Sequence, residues 1–236
     1  MKRYYFSLIL MTAFFAELIT SCDKEDEVVG MTVSGTLEFS ERYNDEITKV
    51  EVTILGDRFS DLKSVTLARG AYSNGAFSLK LPAKVDDMYL NQNFADEDLE
   101  PYIKVSNKMV KTGVFDFTAT DFDETMANSI EEKNKEGNGV DWVYSHKTFP
   151  LVYIKSDDTS TTEGLFYYAD RNCSIIGTMT ASDGHYTITY SMHLKRGWNI
   201  VYHTEKYMEA PDKQIRIDEL STQPVSVMKW YVRGDF

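Results

Sequence analysis

The chain has 236 residues and a formal net charge of −12, with 25 Lys and Arg against 37 Asp and Glu. This charge repels nucleic acid and anionic lipid alike, so nucleic acid is not an expected partner. Hydrophobic residues make up 42% of the chain, and this length can form one large domain or two small ones.

Residues 1–21 have the pattern of an export signal peptide. Lys2 and Arg3 precede an apolar stretch over 4–16, which is shorter than the roughly 20 residues that a membrane-spanning helix needs. The segment Ile19-Thr20-Ser21-Cys22 places a cysteine directly after an aliphatic, a small polar and a small residue. This segment resembles the lipobox of bacterial lipoproteins. The resemblance implies cleavage after residue 21 and a covalent lipid on Cys22 as membrane anchor, with no other cofactor expected; an ordinary signal peptide is the alternative.

Residues 22–30 form an acidic tether. A charged run of this kind cannot bury apolar area and is expected to stay solvated. It is also similar to the surface-export signal of Bacteroidota lipoproteins, which implies an outer-membrane protein that faces the medium. A competing rule reads an Asp next to the lipidated Cys as retention in the inner membrane. The residues of the export signal are Asp23, Lys24, Glu25, Asp26 and Glu27.

Residues 31–119 show the period of two that is typical of half-buried strands. Apolar residues alternate with polar ones over 33–39 and again over 50–54, and Ser73-Asn74-Gly75 predicts a tight turn before a further strand over 77–81. The order of these segments resembles transthyretin-like or carboxypeptidase-regulatory-like β-sandwiches over roughly residues 31–90. We therefore predict an antiparallel β-sandwich-like module.

Residues 120–139 predict one short amphipathic helix or a linker, and strand patterns return over 140–236. The helix prediction depends on a possible cap at Asp123, on Met126 and Ile130 four residues apart, and on Gly137 as a possible end. The last segment predicts an antiparallel β-meander or sandwich module. The predicted fold is thus mostly β, in two modules with one helix between them.

Three aromatic residues are candidates for ligand binding, because Tyr and Trp bury large areas at small entropic cost. They are Trp198, Tyr167 and Trp230. Gly197 permits a sharp turn next to Trp198, whose ring is expected to fold over the edge of the sheet. Segment 194–202 resembles a Lys-Gly-Trp-Asn turn of uncharacterised Bacteroidota lipoproteins, a resemblance that implies no activity.

No motif for catalysis or metal binding is present in the sequence. The four histidines lack the His-Glu-x-x-His spacing, although His193 and His203 are expected on neighbouring strands, where they could meet as metal or haem ligands. With Cys22 lipidated, Cys173 is left without a disulfide partner, and we expect it to be a small buried apolar residue. Adjacent acids such as Asp86 and Asp87 do not supply the separation that glycoside hydrolysis requires.

The sequence therefore favours a lipid-anchored, noncatalytic envelope lipoprotein. Its expected partner, besides the membrane that holds the lipid, is an extracellular glycan or protein, or a surface complex of which it is an accessory subunit. A carbohydrate-active or peptide-active enzyme and a structural or adhesive surface protein are the alternatives.

Overall fold

The computed structural model describes residues 28–54, 65–90, 94, 101–121, 148–210 and 213–235. Of these residues, 62% lie in strands, which confirms the prediction of a mostly β protein. The helical elements in these ranges are two three-residue 3-10 turns, Ser40–Arg42 and Asp87–Tyr89. None of the helices in these ranges has the length and apolar character needed to cross a membrane.

Two sequence predictions fall outside these ranges. Cys22 and the export signal 23–27 precede the first described residue, and the predicted helix over 120–139 lies outside them apart from its first two residues. The lipid anchor, its export signal and the helix therefore stay predictions.

All thirteen described strands belong to one sheet. Six precede residue 121: β1 (Thr32–Thr36), β2 (Lys49–Ile54), β3 (Val65–Ser73), β4 (Ala76–Lys80), β5 (Ile103–Val105) and β6 (Thr112–Thr120). Seven follow residue 147: β7 (Thr148–Ser156), β8 (Ser160–Ala169), β9 (Cys173–Thr180), β10 (Tyr186–Leu194), β11 (Gly197–Ala210), β12 (Lys213–Ser221) and β13 (Lys229–Val232). The order of pairing is β1-β4-β3-β2-β6-β7-β8-β11-β12-β10-β9-β5, and β13 pairs with β7.

The hairpin of β3 and β4 follows from its turn residues. Asn74 and Gly75 both have positive φ, 49° and 83°, as a two-residue hairpin turn requires. In β4 buried and exposed residues alternate, so Phe77 and Leu79 pack inwards. The predicted tight turn and the strand after it are confirmed.

The second half of the chain differs from the antiparallel meander that the sequence predicted. β8 pairs with β11, and β12 lies between β11 and β10, so that β10 and β12 run parallel. After β11 the chain returns antiparallel beside it as β12, so that β12 and not β10 is the neighbour of β11. A period of two shows that a segment is a strand but does not reveal its neighbours.

Two hydrophobic cores lie along this sheet. The first core is rich in aromatic rings and contains Phe77, Phe115, Phe117, Phe166, Tyr168, Trp198 and Trp230. The second core is mainly aliphatic and contains Ile103, Tyr167, Cys173, Ile175, Ile188, Met192, Leu194, Val201 and Leu220. Cys173 is buried there as predicted.

Strand β8 belongs to both cores, because successive side chains of a strand point to opposite faces. Phe166 and Tyr168 enter the first core, and Tyr167 and Ala169 enter the second. In addition, β6 pairs with both β7 and β8, which connects strands from the two sides of the predicted boundary over 120–139. The division into a domain 31–119 and a domain 140–236, and the sandwich-like form of each, stay predictions.

Candidate functional site

A cleft opens beside β1, the first strand in the order of the sheet. β1 pairs with β4 on one side, and on its other side a single bridge joins Leu37 to Trp230 of β13. The space before this bridge is the β1 cleft, which has a volume of about 370 Å³. It is lined by residues 31–36 and 228–230 and by Glu38, Tyr153, Phe166 and Ile200.

Backbone groups of β1 face this cleft. The N–H of Leu37 donates to the turn that precedes β4, whereas the N–H of Glu38 donates at 2.9 Å to the C=O of Trp230, on the opposite side of the strand. Because this direction alternates along a strand, Thr32 and Ser34 point their N–H and C=O groups into the β1 cleft. None of the strands in the described ranges pairs with them there.

Aromatic rings of the first core lie beneath the β1 cleft. The Trp230 ring lies 5.1 Å from the Tyr153 ring and 5.8 Å from the Phe166 ring, between centroids, and is close to parallel with both. A Cβ atom at Gly35 would lie 2.3 Å from Cδ1 of Trp230, so the glycine lets the indole pack directly beneath the β1 backbone. Trp230 itself is only 5% exposed.

The chain leaves the edge of β1 at a strained residue. Val227 has a φ of 64°, in the left-handed region that β-branched residues avoid, and its side chain is 73% exposed. The bridge between Leu37 and Trp230 lies three residues later, so the pairing of the C-terminal segment with β1 begins only after this turn. Strain of this kind is often found at binding sites.

The structure places the other two candidate rings in the cores. Trp198 is 8% exposed, and its indole N–H donates to the C=O of Pro82 at 2.7 Å while its ring packs on Phe115 and Tyr168. Gly197 before it has a φ of 99°, but the ring lies in the first core, on a strand that is placed between β8 and β12; the expectation that it covers a sheet edge stays a prediction. Burial raises the pKa of Tyr167 to about 12. Of the three candidate rings, Trp230 alone lines the β1 cleft, and a role in binding stays a prediction for all three.

A second cavity, of about 500 Å³, lies where the described chain begins at Val28. Lys84 and Arg196 line it, as do two acids that are ion-paired: Arg171 Nη2 lies 2.7 Å from the Asp170 carboxylate, and Lys111 Nζ lies 3.3 Å from that of Asp87. Burial raises the pKa of Asp170, but hydrogen bonds from Arg171 and from the Lys111 N–H outweigh it and hold the pKa below its ordinary value. Paired charges of this kind stabilise the wall and make a less inviting ligand site than unpaired backbone groups.

A polar cluster on the β11–β12 hairpin continues the face of the second core. The buried Asp218 carboxylate accepts hydrogen bonds from Arg216 Nε at 2.9 Å and Nη2 at 3.0 Å and from the Tyr186 hydroxyl at 3.1 Å. His203 Nε2 lies 3.3 Å from the same carboxylate. We call these four residues the Asp218 cluster; it ties β10, β11 and β12 together.

The chemistry of the Asp218 cluster is structural. Burial raises the pKa of Asp218, but hydrogen bonds from Arg216 and His203 outweigh this effect and lower the pKa below its ordinary value. Burial and the Asp218 charge raise the pKa of Tyr186 to about 12. A general base needs a pKa near the working pH and a free lone pair, and Asp218 has neither.

The structure separates the two histidines that the sequence expected on neighbouring strands. His193 is on β10 and His203 on β11, with β12 between them, and their side chains point to opposite faces of the sheet. His193 Nδ1 instead lies 3.0 Å from Ser174 Oγ. Within the described part of the chain, no group of three or more His, Cys, Asp or Glu residues is placed to hold a metal ion.

Sequence reasoning did not identify the backbone of Thr32 and Ser34 as part of a candidate site. The alternation over 32–36 indicates which side chains point outwards, but an open strand edge depends on the order of the strands. No protein-family model, no curated protein and no solved structure matches the chain.

Proposed function

We propose that this chain is a lipid-anchored envelope lipoprotein that binds an extracellular ligand or partner in the β1 cleft, without catalysis. The lipid on Cys22 and the export signal 23–27 would hold the body at the outer membrane, on the cell surface. The observation that carries the binding role is the cleft itself, in which half-buried side chains such as Tyr153 and Ile200 meet the backbone of Thr32 and Ser34, which is unpaired among the described strands. Apolar surface with a few convergent polar groups is typical of ligand sites.

The charge pattern of the β1 cleft favours binding over hydrolysis. Among the described residues that line it, Glu38 is the one with a carboxyl group, and that group lies 3.1 Å from Lys229 Nζ. Glycoside hydrolysis requires a pair of carboxyl groups about 5–10 Å apart. The lining also offers no Cys or His that could act as a nucleophile or a base.

The anchor is tested on intact cells. We expect a clickable fatty-acid analogue to label the wild-type chain and not a Cys22→Ala variant, because the thiol is the lipid acceptor. A nonpermeant protease should degrade the wild-type chain on whole cells and spare a variant in which residues 24–27 are all Ala. Unlabelled wild type would refute the anchor, and protected wild type would refute the surface location.

The cleft is tested separately, with the purified full chain in detergent on arrays of glycans and of random peptides. Ser34→Arg places a long side chain at the rim of the β1 cleft, and Ser78→Arg is its matched control, because Ser78 faces Ser34 from β4, one strand away from the cleft, and is also exposed. We expect binding to be at least tenfold weaker for Ser34→Arg, a loss of about 1.4 kcal/mol, and unchanged for Ser78→Arg. Equal binding by both variants would contradict the proposal, as would the absence of any ligand on either array.

A further inference from the structure

The geometry points to the chemical class of this partner: an extended segment of another polypeptide chain, which adds to the sheet as a strand along β1. This inference rests on the function proposed above and specifies the occupant of the β1 cleft. Its first support is the backbone of Thr32 and Ser34, whose N–H and C=O groups form a repeating donor and acceptor row. An extended polypeptide presents the same repeat, and strand addition to an open edge is a general mode of peptide recognition.

The second support is a parallel hydrogen-bond ladder that starts between the end of β1 and β13 and then ends. The Glu38 N–H bonds to the Trp230 C=O, which is a parallel rung between β1 and β13. Continued in the same direction, this ladder would next reach Thr36 and after it Ser34 and Thr32. It stops because the chain before β13 turns away at Val227. An added strand would take up the places that the C-terminal segment vacates.

The third support is the inner surface, which distinguishes a polypeptide from a glycan. Sugars bind by stacking on an open ring face, but Trp230 is covered by Gly35 and by the rings of Phe77, Tyr153 and Phe166. What the β1 cleft offers beside the strand edge is a surface with half-buried apolar side chains, among them Met31, Ile200 and Met228. A bound strand would direct alternate side chains onto that surface and the others to solvent. The partner segment should therefore alternate apolar and polar residues.

The test uses the full chain in detergent and a phage-displayed library of random 12-residue peptides. We expect selected peptides to alternate apolar and polar residues and to bind about tenfold more weakly to Ser34→Pro, which removes a backbone donor that faces the cleft. Ser34→Ala is the matched control, because it removes the hydroxyl and keeps the N–H, and it should bind as the wild type does. Circular dichroism and thermal melting are used to check that both variants fold.

Amide hydrogen exchange provides a readout that does not depend on a variant. A selected peptide should slow exchange at Thr32 and Ser34, because both N–H groups become donors to the added strand. Peptides that bind equally to Ser34→Pro and leave these two amides unprotected would overturn strand addition. If a glycan binds and Ser34→Arg abolishes that binding while no peptide is selected, strand addition fails and the proposed binding function survives.

Other occupants of the edge are recognised in the same experiment. If the two amides are already protected in the free monomer, another segment of the same chain covers β1 and the inference is wrong. If they become protected only as concentration rises, together with dimer formation in sedimentation, the occupant is a second copy, and a foreign partner is likewise ruled out. Two amides that exchange rapidly in the free monomer are the expected result.

Discussion

The two cores of this protein end in opposite ways. The second core runs into the Asp218 cluster, where the carboxylate is held by Arg216, Tyr186 and His203. The first core ends at the β1 cleft, where the backbone of Thr32 and Ser34 has no partner among the described strands. Elsewhere in the described chain, no buried side-chain nitrogen or oxygen lacks a hydrogen bond.

This difference indicates which of the two regions stabilises the fold and which can bind a ligand. Groups that satisfy one another stabilise the fold and have nothing left to offer a ligand. Backbone groups at an exposed strand edge bond to water, which a ligand can replace. The cluster richest in titratable side chains is thus the less promising site, and a strand edge with none is the better one.

The largest expected effect on stability comes from removing the Trp230 ring, which contacts several other rings of the first core. Trp230→Ala should lower the free energy of unfolding by about 3–5 kcal/mol, because it leaves a cavity among Phe77, Phe117 and Phe166. Urea denaturation measures the change. Tyr102→Ala, at a ring that is 53% exposed, is the control and should stay within about 0.5 kcal/mol of wild type. Equal midpoints for both variants would mean that Trp230 does not organise this core.

The Asp218 cluster should respond to charge removal and to pH. Asp218→Asn keeps the shape and loses the ion pair, and we expect a cost of about 2 kcal/mol, modest because the Arg216 side chain is 42% exposed and screened by solvent. Since the folded-state pKa of Asp218 is lowered, its contribution is complete above the unfolded-state value of about 3.9 and is lost as the pH falls through the folded-state pKa.

Denaturation of both proteins between neutral pH and pH 2 checks this expectation. The gap in stability between wild type and Asp218→Asn should be constant near neutrality and narrow below about pH 4. Other carboxyls with lowered pKa values, such as Asp157 and Asp170, titrate in both proteins and cancel in the difference. Parallel curves down to pH 2 would show that the charge of Asp218 does not stabilise the hairpin.

The smallest expected effect comes from relieving the backbone strain at Val227, beside the β1 cleft. Val227→Gly should stabilise the protein by about 1 kcal/mol, because glycine accepts the φ of 64° without steric cost. Val29→Gly is the control: Val29 is equally exposed, at 74%, and has no positive φ, so no gain is expected. Thermal melting of both variants is sufficient. A loss of stability at Val227→Gly would mean that the valine side chain makes a contact that outweighs its backbone strain.

Local features of this fold were predictable and the strand order was not. The Asn74-Gly75 turn and the alternation of Phe77 and Leu79 identified the β3–β4 hairpin, because both depend on a few adjacent residues. In β12, Arg216 and Asp218 pair with each other on the face that continues the second core, so burial does not follow hydrophobicity along this strand. In β3, Arg69 and Gly70 interrupt the alternation of apolar and polar residues.

The candidate site shows the same limit. Composition pointed to rings such as Tyr167, Trp198 and Trp230, but a sequence does not tell whether a ring faces a core or the solvent, and the fold buried all three. The open edge of β1 arises because the chain that reaches Trp230 turns aside at Val227. The open edge therefore depends on two segments that are far apart in the sequence, and a local sequence pattern does not reveal it.

Strand β8 has a consequence for how the molecule comes apart. Its successive side chains belong to different cores. If either core melted, one face of β8 would lose its packing while the other core still needed that strand. We therefore expect the described sheet to unfold in a single cooperative step, with equal calorimetric and van't Hoff enthalpies.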